Sequence, residues 1–356
     1  MSFRPPVRDD LAELPGYHSP QLEVTHRLNT NESPEPPPPA FRQAVAARVA
    51  ELDWNRYPDR TSTELRNRLA AHHDVAPENI FVSNGSNEVL QSIMLAWGGP
   101  GRTILTFEPT YAMHGQIARV TGTGVVEVER VDDFSIDLDA AVAALNNEKP
   151  MVTFLCSPNN PTGVIEPPSL VARVSETVRE FGLLVVDEAY AQFSDWSAID
   201  LFDEDRPLII TRTFSKSWAM AGARLGYAIA PTWIVERLNL AALPYNVDAV
   251  SQLAGATALD YEDEMLARVA RLVEQRGAIH AGLADLGIEF WPSQSNFVLF
   301  RAPNGNGDEL WQQLVDAGVL IRNCSSWPRL EGCLRITVGT SEENSAFLDA
   351  LAAILT

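Results

Sequence analysis

Leu208-Ile-Ile-Thr-Arg-Thr-Phe-Ser-Lys-Ser-Trp-Ala-Met-Ala-Gly-Ala-Arg-Leu-Gly-Tyr227 is the stretch on which the reading of this chain turns. Its first residues, Leu208–Thr211, are apolar and β-branched and read as a buried strand. Lys216 therefore falls just past a strand's C-terminal end, where open α/β sheets bind their ligands. A lysine near a second cation, here Arg224, has a lowered pKa and is a better imine-forming nucleophile. The hydroxyls of Thr213 and Ser215, with the Arg224 guanidinium, could hold a phosphate. A reactive lysine beside a phosphate cup points to pyridoxal phosphate. Taken alone, a lysine after a strand is more often a solvated surface residue, so the weight rests on what the other strand ends carry.

Four further strand ends are legible. Phe181-Gly-Leu-Leu-Val-Val-Asp-Glu-Ala-Tyr190 is an apolar run closing on two acids. Asp187 there can meet a cofactor's ring nitrogen and keep it protonated, and Tyr190 can bond the ring's phenolic oxygen. The plainer alternative is that Asp187 caps a helix beginning at Ala189. Met151-Val-Thr-Phe-Leu-Cys156 leads into Ser157-Pro-Asn-Asn-Pro-Thr-Gly163, a turn with several fixed dihedrals, in which Asn160 can donate to a cofactor oxygen. Asn79-Ile-Phe-Val-Ser83 leads through Asn84-Gly-Ser-Asn-Glu88 into an apolar-periodic helix, and backbone N–H groups at such a helix start accept phosphate. Arg102-Thr-Ile-Leu-Thr-Phe-Glu-Pro-Thr-Tyr111 places Tyr111 after a proline turn, where it can stack on a planar ring.

Composition narrows the function classes. At 356 residues the chain can bury a large core, and its length suits two or three domains. Hydrophobic residues at 46% and charged residues at 21% are ordinary for a soluble globular enzyme. The formal net charge of −20 argues against nucleic acid, whose backbone needs clustered cations, and against an anionic membrane surface. An anionic ligand would have to be drawn by local cations, namely Lys216, Arg224, Arg322 and Arg335. With screening over about 8 Å at physiological salt, those local groups outweigh the global field. Cys156, Cys324 and Cys333 form no Cys-x-x-Cys pair and suit a reducing cytoplasm. No histidine shows metal spacing; neighbouring His72 and His73 would point to different helix faces, so no metal is expected. No apolar run approaches about 20 residues, and the first residues lack a signal peptide's apolar core.

Along the chain, residues 1–40 read as an arm ending in the stiff Pro34-Glu-Pro-Pro-Pro-Pro39. Residues 41–235, where strands alternate with helices, imply a large α/β domain with a mostly parallel central sheet flanked by helices. Residues 236–356 return to strands after long helices and read as a smaller α+β domain. The helix from Thr232 to Leu243 offers Trp233, Leu238 and Leu240 as core positions. Arg335, alternating with apolar neighbours in Cys333-Leu-Arg-Ile-Thr-Val338, faces away from their side.

In order, these segments resemble the fold-type-I pyridoxal-phosphate aminotransferases, and within them the histidinol-phosphate aminotransferase family. The resemblance runs from about Leu11 to Leu351. It is carried by Leu28-Asn-Thr-Asn-Glu-Ser-Pro34, Arg56-Tyr-Pro-Asp59, Gly85-Ser-Asn-Glu88, Pro109-Thr-Tyr111, Asn159-Asn-Pro-Thr-Gly163, Asp187-Glu-Ala-Tyr190, Thr213-Phe-Ser-Lys216, Arg224-Leu-Gly-Tyr227, Pro244-Tyr-Asn246, Ser295-Asn-Phe-Val298 and Leu334-Arg-Ile-Thr-Val-Gly-Thr340.

The resemblance implies a homodimer and assigns roles. Lys216 would hold the cofactor covalently and shuttle the proton, Asp187 would pair with its pyridine nitrogen, and Tyr190 and Asn160 would bind the ring oxygen. Tyr111 would stack on the ring. Ser86, Asn87, Thr213, Ser215 and Arg224 would hold the phosphate, with Tyr57 supplied across the dimer interface. Arg335 would take the substrate carboxylate as a bidentate pair, near Asn29 and Asn31. Tyr17, Arg322 and Tyr245 are candidates for the substrate's far end. The implied reaction is transamination between L-histidinol phosphate and 2-oxoglutarate in histidine biosynthesis.

An aromatic amino-acid aminotransferase and a decarboxylase acting on a phosphorylated amino acid such as phosphothreonine share the scaffold and stay open. A non-catalytic regulator is not expected, because Lys216, Asp187 and Arg335 are all present and no basic helix-turn-helix segment is seen. Ser157, Ser33, Trp218, Met220 and His114 depart from the family's usual residues.

Overall fold

Seven apolar runs hydrogen-bond side by side into the central sheet of the computed structural model, which describes residues 3–12, 16 and 20–355. Numbered in chain order, the strands are β1 (His26–Leu28), β2 (Ile80–Ser83), β3 (Thr103–Glu108), β4 (Gly124–Glu129), β5 (Val152–Cys156), β6 (Leu183–Asp187), β7 (Leu208–Thr213), β8 (Gly226–Ile229), β9 (Phe297–Arg301), β10 (Val319–Asn323) and β11 (Cys333–Thr337). The large sheet has the order β2-β8-β7-β6-β5-β3-β4. Its strands β4, β3, β5, β6 and β7 run parallel, and β8 lies antiparallel to both β7 and β2.

Both faces of the sheet are covered over its inner strands, so β5, β6, β7 and β8 are buried at every position rather than alternating, whereas the edge strand β4 has no buried residue. Val185 and Ile209 pack toward the helices Ser86–Trp97 and Thr232–Ala241. Leu184, Val186 and Ile210 join the larger core on the other face. All five of these side chains are fully buried, each stabilising the fold by about 1.5–3 kcal/mol.

Of the three core positions expected on Thr232–Ala241, only Leu238 is buried; Trp233 and Leu240 are exposed. The side chains that enter the core are Ile234, Val235 and Leu238. Trp233 and Leu240 lie seven residues apart and so share one stripe, far around the helix from Leu238 at about 100° per residue. The three could not have shared one face.

A second sheet has the order β1-β10-β11-β9. Strand β1 comes from the segment read as an arm. It pairs parallel with β10, placing Leu28 opposite Ile321. Three residues are too few to show periodicity, and the pairing itself makes this strand. The long helices expected ahead of the C-terminal strands include Ala249–Ala258 and Glu262–Asp285, with a 3-10 turn at Leu259–Tyr261 between them. Among the described residues no helix is long and apolar enough to cross a membrane.

Candidate active site

Parallel strands bring their C-terminal ends to one edge, and that edge is where the chemistry-bearing residues collect. Cys156 ends β5, Asp187 ends β6, Thr213 ends β7, and Tyr111 follows β3. They line one cavity of about 860 Å³, together with the helix start at Ser86 and Asn87 and, from the second sheet, Arg322 and Arg335. Its charged side chains are Lys216, Arg224, Arg322 and Arg335 against Glu32 and Asp187. The cavity is thus net cationic inside a chain of net charge −20.

The loop after β7 is fixed by its own sequence. Phe214 and Trp218 are buried anchors with rings 5.4 Å apart. The Phe214 N–H donates to Leu225 O at 2.9 Å and the Met220 N–H to Phe214 O at 3.0 Å. Between these anchors Lys216 turns into the cavity, and its Nζ donates to Thr30 O at 3.1 Å. Desolvation, followed by the nearby charge of Arg335, pushes its pKa from 10.5 down to about 8; Glu32 opposes the shift and Arg224 adds to it.

The cup expected to hold a phosphate is built from three segments. Thr213 Oγ1 donates to Ser215 Oγ at 3.0 Å, and Arg224 Nη1 donates to the same Oγ at 3.3 Å. Arg224 returns there from a left-handed backbone (φ 46°), a conformation costing about 1–3 kcal/mol. Opposite lies the N-terminus of Ser86–Trp97, whose first N–H groups are available to an anion. Gly226 of β8 passes so close to this helix start that an added Cβ would lie 2.3 Å from Ser86 N and 2.5 Å from Gly85 C. Gly226→Ala must therefore displace the cup. We expect a stability loss of about 1–3 kcal/mol and cofactor retention at least about tenfold weaker, read from thermal melts with and without the cofactor.

Asp187 is buried and doubly held. His114 Nε2 donates to its Oδ2 at 3.0 Å, and the Ala189 N–H to its Oδ1 at 3.2 Å. The Asx-type bond to Ala189 leads into a short 3-10 turn at Ala191–Phe193, not the helix weighed as an alternative. His114 stacks on Phe154 with centroids 4.8 Å apart and meets Tyr111 edge-on at 5.5 Å. The sequence registered His114 only as an unusual residue. Its contact with Asp187, 73 positions away, is a product of the fold. Tyr111 itself donates to Asn87 Oδ1 at 3.1 Å, which ties it to the helix start.

Asn31 Nδ2 donates to Tyr190 Oη at 3.0 Å, and burial pushes the Tyr190 phenol up. Its hydroxyl therefore stays protonated and can donate. Arg335 Nη1 donates to Asn160 Oδ1, which leaves the Asn160 amide nitrogen free to donate elsewhere. Arg335 Nη2 donates to Asn29 O at 3.2 Å, while its buried Nε has no hydrogen-bond partner among the described residues. A buried guanidinium with an unused donor is a place for an anion. Arg322 is the register partner of Arg335 across β10 and β11, so both point to the same face of the sheet.

Not every expected residue arrives. Tyr57 and Tyr245 are exposed at the surface, stacked on one another with centroids 4.6 Å apart, and neither lines this chain's cavity. Tyr17 lies outside the described residues. Besides His114 behind Asp187, sequence reasoning missed several residues that line the cavity, among them Glu32, Gln116, Asn323, Ser326 and Trp327.

A family model described as aminotransferase class I and II matches residues 25–351. This chain belongs to that family. It is 46% identical to the histidinol-phosphate aminotransferase of Thermobifida fusca (strain YX), over 97% of this chain and 94% of that one. It is 42% identical to the histidinol-phosphate aminotransferase of Corynebacterium diphtheriae, over 97% and 95%. Its fold is similar to the crystal structure of histidinol-phosphate aminotransferase from Sinorhizobium meliloti in complex with pyridoxal-5′-phosphate. There the TM-score is 0.86 and the identity 26%, over 93% of this chain and 92% of that one. The resemblance read from the motifs is confirmed, as is the α/β aminotransferase fold.

Proposed function

We propose that this aminotransferase moves the amino group of L-histidinol phosphate to 2-oxoglutarate, giving imidazole acetol phosphate and L-glutamate, as a step in histidine biosynthesis. The observation that carries the proposal is the arginine pair, Arg322 facing Arg335 at the second-sheet side of the cavity. Histidinol phosphate has no carboxylate; its phosphate ester is the group that two guanidinium forks match. The carboxylate of the oxo acid takes the same place in the reverse half of the reaction. The names of the Thermobifida and Corynebacterium relatives support this choice.

The residues present fit pyridoxal phosphate. The helix start at Ser86 and Asn87, with Thr213, Ser215 and Arg224, is a cup for its phosphate. Asp187, steadied by His114, would accept from the ring nitrogen. Tyr190 and Asn160 each have a donor that would serve the ring oxygen, and Tyr111 would stack on the ring. When bound, the cofactor supplies an electron sink for the electrons released at the substrate Cα. Lys216 Nζ is the base placed to take the Cα proton. Its lowered pKa gives a neutral amine fraction at neutral pH that an ordinary lysine lacks. Covalent loading of the apoprotein, trapped with borohydride, is expected to rise through a midpoint near pH 8 and then level off. An unperturbed lysine would go on rising to about pH 10.4.

The surface stack of Tyr57 and Tyr245, with Trp54, Leu240 and Leu243 also exposed, supports a homodimer in which Tyr57 serves the other subunit's cofactor phosphate. Three unpaired cysteines support a cytoplasmic setting. The test is the rate of glutamate formation with L-histidinol phosphate, L-phenylalanine and phosphothreonine as donors. Histidinol phosphate should lead in kcat/KM by at least about 100-fold, since a lost charge-assisted pair costs that much. A lead for phenylalanine, or carbon dioxide release from phosphothreonine, would overturn the proposal.

A further inference from the structure

We propose that Trp327 is a positioning residue for the anionic end of the substrate, acting by holding the Arg322 guanidinium toward the cavity. The inference rests on the reading of Arg322 and Arg335 as the phosphate site.

The two arginines are held differently. Arg335 is locked from its own surroundings, through Asn160, Asn29 O and the Phe297 ring, 5.0 Å from its Cζ. Arg322 projects from β10 with its guanidinium carbon 5.5 Å from the centre of the Trp327 ring, and both residues line the cavity. A tryptophan face is the best neutral platform for a guanidinium. Stacking removes rotamer freedom and uses the face of the guanidinium rather than its in-plane N–H edge.

The platform itself is rigid. Trp327 packs against the cluster of Phe134, Trp291, Leu299 and Leu330. Its N–H donates to Cys324 O at 2.9 Å, and it accepts from the Leu330 N–H at 3.1 Å. Two residues on, Arg329 (φ 65°) crosses to the segment after β4, where it donates to Arg130 O and lies 3.5 Å from Asp132. Arg130 is anchored in turn by a buried ion pair with Glu166. The loop that carries Trp327 is therefore pinned between the two sheets.

A dianion needs both guanidiniums, whereas a monoanionic carboxylate is satisfied by Arg335. Losing the platform should therefore weaken phosphate more than carboxylate. Trp327→Met keeps much of the packing volume and removes the aromatic face. We expect KM for histidinol phosphate, and the inhibition constant of inorganic phosphate against the donor, to rise about tenfold. Meanwhile kcat should stay within about twofold and KM for 2-oxoglutarate should change by less than about threefold. Trp327→Phe, which keeps a smaller ring, should lie between Met and the wild type. In an Arg322→Ala background, Trp327→Met should add nothing, because the effect runs through Arg322.

Equal effects of Trp327→Met with and without Arg322 would overturn the proposal. So would a parallel fall in kcat and melting temperature for every substrate, which marks a purely structural role. If Trp327→Met does not fold, a phosphate inhibition constant unchanged in Trp327→Phe would overturn it as well. If the wild type does not turn over histidinol phosphate, the functional reading fails separately. The phosphate inhibition constant against whichever donor is accepted then still decides the role of Trp327.

Discussion

Replacing Lys216 by alanine is expected to lower the transamination rate by at least about 10⁴-fold, because the same amine is proposed both to bind the cofactor covalently and to serve as the proton-transfer base. The variant should nonetheless fold. In the wild-type apoprotein Lys216 makes one hydrogen bond, to Thr30 O, from a site that disfavours its charge. The sign follows from the lowered pKa. Between about pH 8 and 10.5 the unfolded chain binds more protons at this residue than the folded one, so its contribution to stability improves as pH rises through that window and is at its worst below it. Apo Lys216→Ala should therefore melt no lower than the apo wild type at pH 7 and lose the advantage above pH 10. Thermal melts across that range, with mass spectrometry of the borohydride-trapped protein, check both parts. A variant that still trapped the cofactor covalently would assign the reactive amine elsewhere.

Arg335→Lys keeps the charge and removes the fork. The guanidinium bridges Asn160 Oδ1 and Asn29 O and holds Nε in reserve, a geometry an ammonium cannot copy. Two charge-assisted hydrogen bonds at about 1.5 kcal/mol each amount to roughly 100-fold in kcat/KM. Arg335→Ala should lose about tenfold more, because Asn160 Oδ1 then loses its donor and the bound anion loses one of its two guanidiniums. Both half-reactions should suffer, since donor and oxo acid present their anions to the same place. Steady-state kinetics with each substrate varied separately would show this. A loss confined to one substrate would move the shared anion site away from Arg335.

The catalytic edge was readable because of how parallel sheets are made. A strand buried on both faces is an uninterrupted apolar run, so Leu183–Asp187 and Leu208–Thr213 announce where they stop, and residues at the stops share an edge. Lys216, Asp187, Tyr190, Asn160, Tyr111 and the phosphate cup all converge there. Alternation within its strand turned Arg335 away from its apolar neighbours, toward either solvent or a cleft, the resemblance favoured the cleft, and the cavity is the side it faces.

What was not readable depends on contacts distant in sequence or on choices among apolar residues. Nothing near His114 announces that it will meet Asp187. Trp327 sits in an irregular loop without periodicity, and although Arg322 was named from the sequence, its place beside Arg335 and against Trp327 follows only from the pairing of β10 with β11. Strand β1 exists through its pairing with β10. Trp233 and Leu240 are apolar enough for a core, but the turn of their helix carries them outward. Tyr57 shows the limit of one subunit, since its proposed work lies with a second copy, and Tyr245, stacked on it, does not line this chain's cavity.

The most direct test is a single half-reaction. The cofactor-loaded enzyme, with no oxo acid present, is mixed with L-histidinol phosphate while its absorbance is followed. We predict conversion of one cofactor per subunit to the amine form, reversed on adding 2-oxoglutarate and absent in Lys216→Ala. No conversion with histidinol phosphate under conditions where L-phenylalanine converts the cofactor fully would contradict the assignment of this cavity to a phosphorylated imidazole donor.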